Sequence, residues 1–201
     1  MRLILASASP RRRELLTQAG YQFEVQESSA PEARRPAEDA IRFATRLARE
    51  KAEAVFARRP SSEPCLVLGA DTVVVCDEEV MGKPADAADA ARMLLLLSGR
   101  THHVVTGVAV VWGADASAVE VAAEVTYVTM RTLSPEEVAQ YIAGGEPMDK
   151  AGAYAIQGYA ARWIPRISGC YFNVVGLPLA LVASLLEGAE RRLLAELSPQ
   201  G

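Results

Sequence analysis

Apolar positions fall along this chain in two rhythms. Unbroken apolar runs, Arg2-Leu-Ile-Leu-Ala6, Cys65-Leu-Val-Leu-Gly69 and Thr72-Val-Val-Val75, predict buried strands. The second and third flank Ala70-Asp71 and read as one strand interrupted by, or ending at, the aspartate. Two longer Val- and Thr-rich stretches, about 102–112 and 119–132, predict a strand pair, and Gly113-Ala-Asp-Ala116 between them predicts a hairpin. The helical rhythm is clearest over 37–57, where Ile41, Ala44, Leu47, Ala48, Ala52 and Val55 share one face. A shorter helix begins at Ser9-Pro10, with serine as cap and proline in the first turn, and closes at Gly20. An Ala- and Leu-rich helix spans 85–98, and Ser134 with Glu137 forms a capping-box pattern that opens another. A final helical region begins near Leu177-Pro178. The stretch 27–36 reads as a loop, and 144–175 as mostly irregular.

Strand–helix units come first, then a hairpin, then helix and loop, which is the order of an α/β protein with a mixed sheet. The 201 residues suit one domain, or two small lobes sharing a core, with any lobe boundary between 65 and 100. Aromatics make up only 6% of the chain, so the core is built from Ala, Leu and Val. A net charge of -4 argues against a protein that grips nucleic acid with its whole surface, yet the first thirteen residues hold four arginines and no acid. Cys65, Cys76 and Cys170 form no CxxC pair and no zinc-type spacing, so they read as reduced thiols. Those thiols, the absence of a secretory pattern, and a longest aliphatic stretch of only Met93 to Leu97 predict a cytoplasmic protein that does not span a membrane.

The candidate chemistry begins with Ser7-Ala-Ser-Pro-Arg-Arg-Arg13, where hydroxyls, a helix start and guanidiniums are close together, each a phosphate ligand. Adjacent helical residues point about 100° apart, so not all three arginines face one ligand. Asp71 closes an apolar strand, where α/β sheets bind ligands. Lys83 lies in the Gly82-Lys83-Pro84 turn, which is no Walker loop but offers a point charge. Glu32 and Lys51 read by themselves as solvated charges. The long segment Gly145–Gly158 holds Gln157, whose amide presents a donor beside an acceptor, the complement of O4 and N3–H of uracil and thymine. His102 and His103 are the only histidines and face opposite sides of a strand, so they do not form one histidine-based site, and no GxGxxG is present.

Taken together, seven segments in order resemble the Maf family: LASASPRRRELL, LAREKA, GADTVV, MGKP, LSGRTHHVVTGV, EPMDKAGAYAIQG and YFNVVGLPL. The resemblance implies a two-lobed α/β fold with a mixed sheet, flanking helices and a central cleft, similar to inosine triphosphate pyrophosphatases. It implies hydrolysis of a nucleoside triphosphate to monophosphate and pyrophosphate with Mg²⁺ or Mn²⁺, and a homodimer. By motif position Asp71 matches the catalytic proton acceptor. Ser7, Arg12, Glu32, Lys51 and Lys83 match the polar set around the phosphates, with Ser9 beside them, and Asp71 and Glu32 are the metal-ligand candidates. Arg11, Thr72 and Gln157 match positions tied to substrate choice. The form EPMDKAGAYAIQG resembles the subgroup acting on dTTP and UTP. A sister subgroup acting on 7-methyl-GTP tends to carry glutamate where Gln157 stands and cysteine where Lys150 stands. A nucleotide-binding regulator of septum formation without catalysis is the other alternative, and pyrophosphate release separates it from an enzyme.

Overall fold

Burial follows the apolar runs. In the computed structural model, which describes residues 1–59, 64–113 and 118–197, the runs at 2–5 and 65–76 become adjacent strands of one sheet. The elements in order are β1 (Arg2–Leu5), α1 (Pro10–Gln18), β2 (Glu24–Val25), α2 (Ala40–Phe56), β3 (Cys65–Cys76) and β4 (Glu79–Met81). They are followed by α3 (Ala87–Leu97), β5 (Thr101–Gly113), β6 (Ala118–Thr129), α4 (Pro135–Ala143), β7 (Arg166–Ser168), α5 (Tyr171–Val175) and α6 (Leu179–Leu197). The seven-stranded sheet runs β2-β1-β3-β5-β6-β7, with β4 hung on β3. β1 lies parallel to β2 and β3, whereas β4 on β3 and β7 on β6 are antiparallel, so the sheet is mixed as expected.

The chain divides into two compact units, each made of separated stretches. The first comprises Met1–Asp71, Thr106–Glu124 and Gly176–Gly201, and the second Thr72–Val105 and Val125–Val175. Each has its own hydrophobic core, aliphatic in the first unit and partly aromatic in the second. Ile4, Ala48, Ala52, Val55, Val67, Ala109 and Val111 pack together in the first, with α2 laid on the sheet. Met93, Leu94, Leu97, Val104, Val128, Tyr141 and Trp163 pack in the second. Among the described residues no helix is long and apolar enough to cross a membrane.

Several elements differ from the sequence expectation. β3 is neither interrupted nor ended by Asp71 but runs through it to Cys76, because Val73, Val74 and Val75 are buried like the residues before them. α2 starts at Ala40 because the Asp39 side chain accepts from Arg42 N–H, and Ile41, expected on the buried face, is 49% exposed in that first turn. Ser9 stands at the N-cap of α1 but makes no side-chain capping bond. Segment 144–175 is a run of 3-10 turns ending in β7 and α5, with three-residue steps too short to leave a periodic signature. β2 and β4, with two and three residues, are likewise below the reach of an alternation pattern. The predicted hairpin tip at 114–116 lies outside the described residues.

Candidate active site

The site of the first unit is set by the pairing of β1 with β3. Leu5 lies beside Leu68, so Ser7 and Ser9 emerge at the same end of this parallel pair as Ala70 and Asp71. β1 stops there while β3 continues, and the chain after β1 turns into the N-terminus of α1, the positive end of the helix dipole. Ser7 Oγ accepts hydrogen bonds from Ser9 N–H at 3.2 Å and from Arg12 Nη1 at 3.1 Å, which shapes that turn.

Of the three arginines only Arg12 is buried, while Arg11 is half-buried and Arg13 exposed. Arg12 donates to the carbonyl of Ala70 through Nη1 at 2.9 Å and to that of Gly176 through Nε at 2.9 Å. It ties α1 to the strand residue next to Asp71 and to the loop entering α6. Burial pushes its pKa down, opposed by the charges of Asp71 and Glu32. Arg12 is therefore a buried cation that also braces the backbone, more than the phosphate ligand its motif position implied.

Lys51 joins the two acids. Its Nζ donates to Asp71 Oδ1 at 2.6 Å and pairs with Glu32 Oε1 at 2.5 Å. Lys51 and Asp71 are buried, whereas the Glu32 side chain is 55% exposed, so Glu32 closes the group from the solvent side. Burial raises the Asp71 pKa, and Lys51 and Arg12 pull it back. The result is a carboxylate of increased basicity facing two cations.

This bridge depends on how closely α2 approaches the sheet. A Cβ on Gly69 would stand 2.1 Å from the Ala48 carbonyl oxygen, and one on Gly107 would stand 2.3 Å from the Ala44 carbonyl. Only glycine on β3 and β5 lets α2 sit this low. Ala48 lies three residues before Lys51 and Gly69 two before Asp71, so the same contact delivers the lysine to the aspartate. Sequence reasoning missed both glycines, whose signal is a glycine inside an otherwise β-branched strand.

It also missed what holds the loop bearing Glu32. Arg46 on α2 grips Glu38 with Nε at 2.6 Å and Nη2 at 2.8 Å, and donates from Nη2 to the Ala33 carbonyl at 3.0 Å. Its Nη1 reaches Glu50 at 3.0 Å. The fork of hydrogen bonds from Arg46 holds the Glu38 carboxyl down at about 2. The available signal was Arg46 and Glu50 at i, i+4.

Thr72, Lys83 and Gln157 belong to the second unit. Thr72 follows Asp71 on β3 and is half-buried, while Lys83 and Gln157 are exposed. Gly152 N–H donates to the Gly82 carbonyl at 3.0 Å, so the Lys83 turn and the loop leading to Gln157 are tied together. His102 takes no part in a histidine site: its Nε2 lies 2.8 Å from the buried Tyr154 hydroxyl, and His103 packs beside Tyr127. The three cysteines are unpaired, Cys65 and Cys76 buried.

For a cation, the first unit offers two carboxylates that meet at one ammonium, Asp71 and Glu32. Among the described residues no cluster of three or more His, Cys, Asp or Glu forms a self-sufficient cage. Two carboxylate oxygens fit Mg²⁺ or Mn²⁺, hard ions that complete their shell with water and phosphate oxygens.

Known proteins are similar to this chain along nearly its whole length. The family described as Maf-like protein matches residues 2–189. A protein of Koribacter versatilis (strain Ellin345), named dTTP/UTP pyrophosphatase, is 53% identical over 189 residues, covering 94% of this chain and 95% of its own. Proteins of the same name from Geobacter sulfurreducens (54% over 181 residues, 90% and 93%) and Salmonella typhimurium (52% over 184 residues, 92% and 91%) are also similar. A solved structure of a nucleoside-triphosphatase, dITP/XTP pyrophosphatase, from Mycobacterium abscessus aligns over 99% of this chain and 98% of its own, at 16% identity and a TM-score of 0.40.

Proposed function

The chain belongs to the Maf family, and from that membership we propose that it hydrolyses dTTP and UTP between the α and β phosphates, releasing the monophosphate and pyrophosphate. Relatives about half identical along nearly the whole chain carry that name. The observation that carries the reading is the buried Lys51 joining Asp71 and Glu32 beside a buried arginine. Two acids gathered at the positive end of α1 have no use in simple anion binding, where they would repel the ligand. They suit a reaction in which a proton is taken from water next to a bound triphosphate.

In this mechanism the positive end of α1, with Ser7, Ser9 and Arg11, receives the phosphate chain, and Lys51 adds charge that grows in value as the leaving group becomes negative. Arg12 holds the strand at Asp71 in place. Asp71 accepts a proton from the attacking water, the water oxygen bonds to the α-phosphorus, and the bond to the α–β bridging oxygen breaks, so that pyrophosphate departs with the electron pair. Mg²⁺ or Mn²⁺ held by Asp71 and Glu32 supplies, when bound, charge neutralisation of the phosphates and an acidified water. Lys51 pairs with both carboxylates and aligns them, and its charge opposes the burial that raises the Asp71 pKa. Gln157, with Thr72, selects the base: its amide matches O4 and N3–H of uracil and thymine, and it tolerates change at C5, so modified uridine triphosphates are expected substrates in the clearing of nucleotide pools.

A cytoplasmic location and a homodimer belong to the same reading, supported by the three unpaired thiols and by the resemblance respectively. Substrate choice is tested by kcat/KM for dTTP, UTP, CTP and 7-methyl-GTP with pyrophosphate detection. The expected order puts dTTP and UTP first, and a preference for 7-methyl-GTP contradicts the role given to Gln157.

A further inference from the structure

The loop carrying Gln157 is fastened on both sides of that residue by one small network in the second unit. The Tyr141 hydroxyl on α4 donates to Glu146 Oε1 at 2.8 Å and accepts from Ala155 N–H at 3.2 Å. The other carboxylate oxygen, Glu146 Oε2, accepts from Tyr159 N–H at 3.2 Å. Ala155 and Tyr159 stand two residues either side of Gln157, and Gly158 N–H closes the turn onto the Ala155 carbonyl at 3.1 Å. A single carboxylate and a single phenol therefore fix the backbone before and after the amide that faces outward.

Three further features make this clamp rigid. A Cβ on Gly158 would fall 2.0 Å from Glu146 Oε1 and 2.6 Å from Oε2, so the carboxylate lies flat against the glycine and no other residue there permits it. Tyr141 also stacks on Tyr159, with ring centroids 5.9 Å apart, and meets the buried Trp163 edge-on at 4.9 Å. Lys150, whose Nζ donates to the Glu146 carbonyl at 2.7 Å, secures the backbone of the clamp residue itself. Gln157, by contrast, is exposed, and its side chain forms no hydrogen bond among the described residues. The protein spends its hydrogen bonds on the neighbours of the amide and leaves the amide to a ligand.

We propose that Glu146 and Tyr141 are positioning residues that set pyrimidine selectivity by holding the Ala155–Tyr159 backbone, and through it the Gln157 amide, in register with the base. The inference rests on the reading of Gln157 given above. An amide distinguishes one pyrimidine edge from another only when its place is fixed to within a hydrogen-bond width, and a misplacement near 1 Å costs on the order of 100-fold.

The test measures kcat and KM for dTTP and CTP, with a thermal melt of each protein, in Q157A, E146Q, Y141F, G158A and the double variant E146Q/Q157A. E146Q keeps a single acceptor oxygen, so it can accept from Tyr141 O–H or from Tyr159 N–H but not from both. G158A leaves the glutamate in the chain and displaces only its flexible end. The dTTP preference is expected to fall about 10-fold or more in each single variant, chiefly through KM, as for lost binding of the base. The double variant is expected to be no less selective than Q157A alone. If Q157A loses the preference while E146Q and G158A keep it, the clamp is overturned and the role of Gln157 stands. A preference intact in Q157A overturns the base-reading role of Gln157 and this inference with it. An equal loss on both nucleotides with a lowered melting temperature assigns the network to stability alone and also overturns the inference.

Discussion

Lys51 shows how much of the site escapes a reading of single residues. By itself it is one of many lysine and arginine side chains on a helix, yet here it is buried with its ammonium shared between Asp71 and Glu32. The motif GADTVV pointed to Asp71, and the family resemblance supplied Lys51 and Glu32, because residues 19 and 20 positions apart carry no local signal of their meeting. Arg46 and Glu38 were not found at all, since a residue that secures a loop has no chemistry of its own to advertise. Removing Lys51 takes from the buried Asp71 the ammonium hydrogen-bonded to it and leaves only Arg12 as a compensating charge, and breaking a buried pair of this kind typically costs about 3–5 kcal/mol. K51A is thus expected to melt well below wild type and to lose turnover on dTTP, measured by a thermal scan and a pyrophosphate assay. R46A is expected to raise the Mg²⁺ concentration needed for half-maximal rate, since the Ala33 carbonyl beside Glu32 loses its donor. An unchanged Mg²⁺ titration would remove Arg46 from the support of Glu32.

The elements with clean periodicity or a capping box were legible: β1, α2, α3, the β5 and β6 pair, and α4 with its Ser134–Glu137 box, which the structure reproduces on both sides. What could not be read was the depth at which α2 sits, because that depends on Gly69 and Gly107 meeting Ala48 and Ala44 across 21 and 63 residues of sequence. Gly69→Ala forces a Cβ into a backbone carbonyl, which cannot yield as a side chain does. Overpacking of this kind costs about 1–3 kcal/mol, and more where backbone must shift. The variant is expected to lose stability by denaturant titration and to lose more activity than stability explains, because α2 carries Lys51 away from Asp71. Serine at 134 contributes both a cap and half of the box, so Ser134→Ala is expected to lower stability by about 1 kcal/mol.

At the scale of the whole molecule, β3, β5 and β6 each contribute residues to both units and their two hydrophobic cores. The second core contains a titratable group that the proposed chemistry does not use. Burial, with a smaller contribution from His103, lowers the His102 pKa from 6.5 to about 4, and its Nδ1 has no hydrogen-bond partner among the described residues. The unfolded chain therefore binds a proton at this residue before the folded one does. Stability is complete above the unfolded value and is lost as pH falls from 6.5 towards about 4. The full loss from this residue is about 3 kcal/mol. Melting temperatures between pH 7 and pH 4 are expected to fall less steeply in H102N than in wild type, and parallel curves would contradict that assignment.

The central claim is that the Lys51-held Asp71 drives cleavage at the α–β bond, and it is tested by resolving the products of dTTP hydrolysis, with Mg²⁺ present, in the wild type and in Asp71→Asn. The wild type is expected to give dTMP and pyrophosphate in equal amounts, and the variant a rate at least about 100-fold lower with nucleotide binding retained. Release of dTDP with orthophosphate, or wild-type turnover by Asp71→Asn, would contradict it.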